Sequence, residues 1–161
     1  MEREFKIKGL MIDPITNSPI VILQQVDKNT LLPIWVGVFE ANAIALQIER
    51  IDTPRPMTHD LLKNILLQLS ASVQKIVVTE LRESTFHAII HLDLDGDHIT
   101  VDSRPSDAIA LAVRTDAPIF VTEKAIENSR SITVEKESLD PEELREWLEQ
   151  VNPDDLGKYK M

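Results

Sequence analysis

The chain has 161 residues, 43% of them hydrophobic and 27% charged, with no cysteine and a formal charge of −10 at pH 7. That fits one domain with a proper core, excludes disulfides and thiolate metal sites, and leaves no apolar run near the roughly 20 residues a membrane helix needs. The start, Met-Glu-Arg-Glu-Phe-Lys-Ile-Lys, has no apolar signal core, so a cytoplasmic protein with no membrane partner is expected.

Residues 3–13 read as a strand, with Phe5, Ile7 and Met11 on one face and Lys6 and Lys8 on the other. Pro14 to Pro19 is a turn. Pro19 to Leu23 is a second strand, and Leu31 to Val36 a third, ending at Gly37. Pro33 inside that run favours an edge position or a late start. A helix is expected from about Val38 to Ile51, with Ala41, Ile44, Ala45 and Ile48 as its apolar stripe. Glu40 falls in its first turn, where an acid complements the helix dipole or serves as a ligand.

Asp52 to Met57 is a proline-rich loop, after which Thr58, a good cap, opens a second helix. Leu61, Leu62, Ile65, Leu66 and Leu69 form its expected buried face, leaving His59 and Asp60 pointing away from the core. The dipole at a helix start favours neutral imidazole, the form that a general base or metal ligand requires.

Val73 to Leu81 is a strand, and Thr85 to Leu94 another. Asp95-Gly96 is a strong two-residue hairpin signal. It pairs Leu94 with Asp97, Asp93 with His98, His91 with Thr100 and Ile89 with Asp102. His87, His91, His98 and Asp102 then share one sheet face. Residues two apart on a strand stand nearly 7 Å apart, which favours a wet face with an Asp93–His98 pair over a metal cluster.

Ile99 to Thr115 runs from strand straight into helix. Ile99 and Val101 alternate with Thr100 and Asp102. Pro105 suits the first helical position, with Ser103 or Arg104 at the cap and Ser106 and Asp107 in the first turn. Ala108 to Val113 is apolar on every face, so this helix should be buried. Five polar residues, Asp102, Ser103, Arg104, Ser106 and Asp107, therefore gather at the amino end of a buried helix. Either they cap it, or they handle an anion or metal-bound phosphate.

Pro118 to Val121 is a short strand, Glu123 to Asn128 a short helix and Ile132 to Val134 a final strand. An acidic helix follows from Leu139, with Leu144, Trp147, Leu148 and Val151 on one face, to dock on the body or on a second subunit. Charge divides unevenly: residues 1–134 carry 13 basic and 18 acidic side chains, and residues 135–161 carry 4 and 9. Nucleic-acid binders usually show a basic face, so such a role here needs a local Lys/Arg patch or bridging cations. The expected architecture is α+β. A mixed, largely antiparallel sheet surrounds a buried central helix with flanking helices, as a domain over 1–135 and an acidic helical extension over 136–161.

Three separated motifs carry a resemblance. They are Leu32-Pro33-Ile34-Trp35-Val36-Gly37 followed by Glu40-Ala41, then Arg55-Pro56-Met57-Thr58-His59-Asp60-Leu61-Leu62, then Asp102-Ser103-Arg104-Pro105-Ser106-Asp107-Ala108-Ile109-Ala110-Leu111-Ala112. In this order they resemble the bifunctional nuclease domain family. The resemblance implies an α+β fold and a hydrolase that cuts both DNA and RNA. Hydrolysis at phosphorus needs an activated water and charge stabilisation, often through divalent metals held by carboxylates. The motifs then offer His59 as base, with Asp60, Asp102 and Glu40 as catalytic partners. Glu40, Asp60, Asp102 and Asp107 are candidate ligands for Mg²⁺ or Mn²⁺. Arg55 and Arg104 would hold phosphate as planar forks, beside Ser103, Ser106 and Thr58. The alternative is a non-catalytic regulatory or assembly module whose arginines pair with Asp60, Asp107 or Glu40 to lock the loops. Either way a homo-oligomer, a dimer, is expected.

Overall fold

The computed structural model describes residues 1–129, 132–133, 142 and 145–146. Eight strands alternate with four helices in it: β1 (Glu2–Ile12), β2 (Pro19–Gln25), β3 (Thr30–Trp35), α1 (Val38–Ile48), α2 (Thr58–Gln68), β4 (Ala71–Arg82), β5 (Thr85–Leu94), β6 (Asp97–Ser103), α3 (Pro105–Thr115), β7 (Ile119–Thr122), α4 (Glu123–Asn128) and β8 (Ile132–Thr133). The strands form one sheet in the order β6-β5-β4-β7-β1-β2-β3-β8. Every neighbouring pair is antiparallel except β4 and β7. Two locally connected meanders, β1-β2-β3 and β4-β5-β6, are thus joined through the four residues of β7. The α+β class and the mixed, largely antiparallel sheet are as expected. The acidic helix, and with it the 136–161 extension, lies almost wholly outside the described residues.

Alternation holds where the ladder is regular and shifts where it is not. A bulge between Ile7 and Gly9 inserts Lys8 as an extra residue opposite β2. After it the faces exchange, so Leu10, rather than the expected Met11, packs on the core with Phe5 and Ile7. Pro33 pairs with Ile22 on one side, while β8 covers only Thr30 and Leu31 on the other. That is the near-edge position its missing N–H demands. The Asp95-Gly96 hairpin sets the expected register: Leu94↔Asp97, Asp93↔His98, His91↔Thr100 and Ile89↔Asp102. Asp93 and His98 do not bond to each other, however. Asp93 accepts the Gly96 amide at 3.2 Å, and His98 Nε2 meets His91 Nδ1 at 3.1 Å.

α3 packs on β4 and β5 and is flanked by α1 and α2. Ala108 to Ala112 are all buried, because small and branched apolar residues surround that helix on every side. α1 buries Ala41, Ala43 and Ile44, but Ile48 at its end is exposed.

α2 reverses expectation. Its only buried residue is His59; Leu61, Leu62, Ile65 and Leu69 are exposed, and of the expected stripe only Leu66 is half-buried. The leucine stripe faces out because the inward side is tied by directional bonds. Asp60 Oδ1 accepts from Arg114 Nε at 2.8 Å, and Asp107 Oδ1 lies 2.9 Å from His59 Nε2.

Candidate active site

Three helices begin at one place. Glu40 is the third residue of α1, Asp60 the third of α2 and Asp107 the third of α3. An acid there complements the dipole and can reach back to free amides. Asp60 does so, its Oδ2 accepting the Met57 N–H at 2.9 Å. That is the return half of a capping box; Met57, not Thr58, holds the cap position. Arg104 caps α3 with extended backbone, and Pro105 opens it.

Arg104 ties two of these helix starts together. Its Nη2 donates to Glu40 Oε1 at 2.6 Å and meets Asp107 Oδ2 at 2.8 Å, while its Nε donates to Asp107 Oδ2 at 2.9 Å. The other oxygen of Asp107 meets His59, which brings in the third. A second arginine, Arg114, braces the group from behind. It is almost wholly buried, and besides Asp60 it donates to the carbonyls of Ala110 at 2.8 Å and Ala43 at 2.9 Å. Arg114 lies seven residues after Asp107 in an apolar helix, so the two share a face. A lone arginine at that spacing was the sequence signal for it.

The electrostatics follow from these bonds. The hydrogen bond from His59 holds the Asp107 carboxyl below its ordinary value, outweighing burial, with Arg104 adding to it. Asp60 is also held low, first by the Met57 amide, against burial, and then by Arg114. Burial pushes the Arg104 guanidinium down, but Asp107 and Glu40 more than offset this, and the net shift is upward. Glu40 keeps one unusual atom: its Oε2 is buried without a hydrogen-bond partner, alone in this among the described side chains. A buried acceptor left open costs roughly 1–3 kcal/mol, so it marks a place built to receive a donor.

Glu40, His59, Asp107 and Arg104 therefore form one connected group, while Asp60, next to His59 in the chain, pairs separately with Arg114. Arg104 is its most open member, its side chain 44% exposed, whereas His59 and Glu40 are recessed at 9% and 11%. Other expected residues stand apart. Ala88 is in the helix-side core and pairs with Ser103. Paired residues share a face, so Ser103 faces the helices and Asp102 the opposite side, away from this group. Ser103 Oγ donates to the Arg104 carbonyl at 2.8 Å. Ser106 is buried at 1% exposure, and Thr58 is exposed. Arg55 is exposed and makes no ion pair among the described residues. It lines a cleft of about 230 Å³ together with Met57, Asp60 and Arg114. A larger cavity, about 540 Å³, lies at the other ends of α1 and α3, by Lys6, Lys8, Gln47, Arg50 and Asp116.

The carboxylates do not assemble into a metal cage. Among the described residues no group of three or more His, Asp or Glu side chains is arranged to hold an ion. Glu40 Oε1 and Asp107 Oδ2 are taken by Arg104, and Asp102 faces elsewhere. The donor set present does not by itself fit Mg²⁺ or Mn²⁺, which need several oxygens around one point.

An α+β domain whose three helix starts share an arginine–carboxylate–imidazole network is thus the class that the fold and site define. The chain belongs to the bifunctional nuclease domain family, whose model matches residues 21–134. It is 33% identical to the uncharacterized protein Rv1829 of Mycobacterium tuberculosis over 162 aligned positions, 95% of this chain and 97% of that one. It is 30% identical to Bifunctional nuclease 2 of Oryza sativa over 118 positions, covering 71% of this chain and 36% of the rice protein. With Bifunctional nuclease 2 of Arabidopsis thaliana the identity is 29% over 108 positions, 65% of this chain and 33% of the relative. The match thus spans about a third of each plant protein. No helix among the described residues is long and apolar enough to cross a membrane.

Proposed function

We propose that this domain hydrolyses phosphodiester bonds in DNA and RNA, using the group at the three helix starts. The observation that carries this is the convergence itself: Glu40, His59, Asp107 and Arg104, from three separated motifs, meet within hydrogen-bonding distance. The family and the names of its plant members support the same reading. Arg104, the most exposed of the group, holds a phosphate oxygen and offsets charge at phosphorus. Asp107 accepts the His59 Nε2 proton and fixes the tautomer, leaving Nδ1 with the lone pair of a base. A water loses its proton to Nδ1 as its oxygen bonds to phosphorus. The bond to the leaving oxygen breaks, and that oxygen takes a proton from the imidazolium or solvent. Glu40 Oε2 is an acceptor able to orient that water. Arg55, on the exposed loop, engages a flanking phosphate and supplies local positive charge on an acidic protein. A Mg²⁺ or Mn²⁺ ion would have to complete its shell with phosphate oxygens or displace Arg104.

The test is cleavage of labelled single- and double-stranded DNA and of RNA by the full chain, with Mg²⁺, Mn²⁺ or chelator. His59→Gln and Arg104→Lys should each lower kcat by at least ~10²-fold, with melting temperature held within a few degrees. Activity that survives both substitutions, or elutes apart from the protein, would establish instead the non-catalytic module, with the arginines acting only as ties between loops.

A further inference from the structure

The two edges of the sheet are treated differently. β3 is buried along its whole length and partly capped by β8. β6, at the other edge, is exposed from Asp97 to Asp102. It is seven residues long, has no proline, and pairs with β5 without a register shift. Natural proteins usually blunt such an edge with a bulge, a proline or a cover. Here Ile99 and Val101, on the helix-bearing face, are left exposed.

The geometry points to a second copy of this chain as the occupant, its β6 pairing antiparallel to this one about a twofold axis through Thr100. The register follows from the hairpin. Asp95 and Gly96 both have positive φ, 53° and 89°, as in a two-residue loop whose flanking pair is hydrogen-bonded. Leu94↔Asp97 is that pair. Hydrogen-bonded pairs alternate along an antiparallel ladder, so residues 97, 99, 101 and 103 turn their amides to β5, while 98, 100 and 102 turn theirs outward. An antiparallel twofold must match outward residues with outward residues, so the axis passes through a residue and not between two. Only an axis at Thr100 uses the full strand.

That register is self-complementary at every step. Thr100 meets its own copy, a favourable cross-strand pair. His98 stands opposite Asp102 of the second copy, and Asp102 opposite His98 of the second copy, so both ends carry a hydrogen-bonding imidazole–carboxylate match. Ile99 stands opposite Val101 of the second copy on the helix-bearing face, closing the apolar exposure there. A standard interface takes about 800 Å² from each partner, more than one strand supplies. The exposed side chains of α2, Leu61, Leu62 and Ile65, with Leu69 just after it, stand in the helix layer on that same side of the sheet, and the proposed contact extends to them. This inference does not depend on the nuclease reading. It gives Asp102, which stands apart from the catalytic group, a role at the interface.

The test uses the full chain, which contains no native cysteine. Light scattering after gel filtration at ~100 μM should give twice the 18.2 kDa chain mass, as expected for an interface of standard size. Thr100→Cys should form an intermolecular disulfide under mild oxidation, while Lys28→Cys, on the exposed turn before β3, should not. Thr100→Lys, which sets like charges directly opposite each other, should shift the protein to monomer with its far-ultraviolet dichroism unchanged. A wild-type monomer at that concentration would overturn the proposal, as when the chain's own C-terminal segment covers these surfaces. So would a dimer that persists in Thr100→Lys while Thr100→Cys stays unlinked.

Discussion

α2 and α3 are both eleven residues long and both rich in aliphatic side chains, yet one is buried and the other is turned inside out. α3 is apolar on every side and has the sheet beneath it and α1 and α2 beside it. α2 presents its polar first turn to the body and its leucines to solvent. A stripe can only say that a helix has a side to cover; it cannot say what covers it. The inward side of α2 is chosen by His59 and Asp60, whose partners Asp107 and Arg114 lie about 50 residues further along the chain. Hydrogen bonds to charged groups contribute roughly 1.5–3 kcal/mol each, comparable to burying a leucine. Two of them, made together at the helix start, set its orientation.

The largest expected effect tests that anchor. Arg114→Met removes the donor to Asp60, Ala43 and Ala110 and should lower stability by about 3–5 kcal/mol in urea unfolding. A loss below ~1 kcal/mol would mean that α2 is held by something other than its polar turn. Next is the contrast between the helices themselves. Ile109→Ala, in the fully buried part of α3, should cost about 2–4 kcal/mol. Ile65→Ala, on the open face of α2, should cost no more than ~0.5 kcal/mol when measured at dilute concentration. Equal losses would erase the distinction. The smallest effect is acid sensitivity. The Asp107 carboxyl lies below its ordinary value in the fold, so its contribution is complete above the unfolded value near 4. It is lost as pH falls through the lower folded value. Asp107→Asn should therefore flatten the acid limb of the stability–pH curve. An unchanged acid limb would show that the His59 and Arg104 bonds contribute nothing in solution.

Local signals in the sequence carry the fold, and distant ones do not show. Asp95-Gly96 gave the β5–β6 register residue for residue, since a two-residue loop leaves one pairing. Pro105 placed the start of α3, because proline tolerates few helical positions. The motifs point to the convergence of Glu40, His59, Asp107 and Arg104, but they place His59 and Asp60 on the outside, whereas the structure turns both inward. Seeing that required knowing that Arg114 points back across α3. The bulge at Lys8 carries no sequence mark strong enough to displace a simple alternation. Asp102 was grouped with its neighbours in sequence, although its own predicted pairing with Ile89 already turned it to the far face.

The join between the two meanders bears on how the molecule is made. β1 leaves the ribosome before the other strands of this sheet, yet its pairing with Ile119–Thr122 cannot begin until residue 122 is available. β4 waits for the same four residues on its other side. Throughout synthesis, each half-sheet carries an unpaired inner edge, the kind of template that recruits foreign strands. The four-residue β7 is therefore also the closure that ends this period of vulnerability.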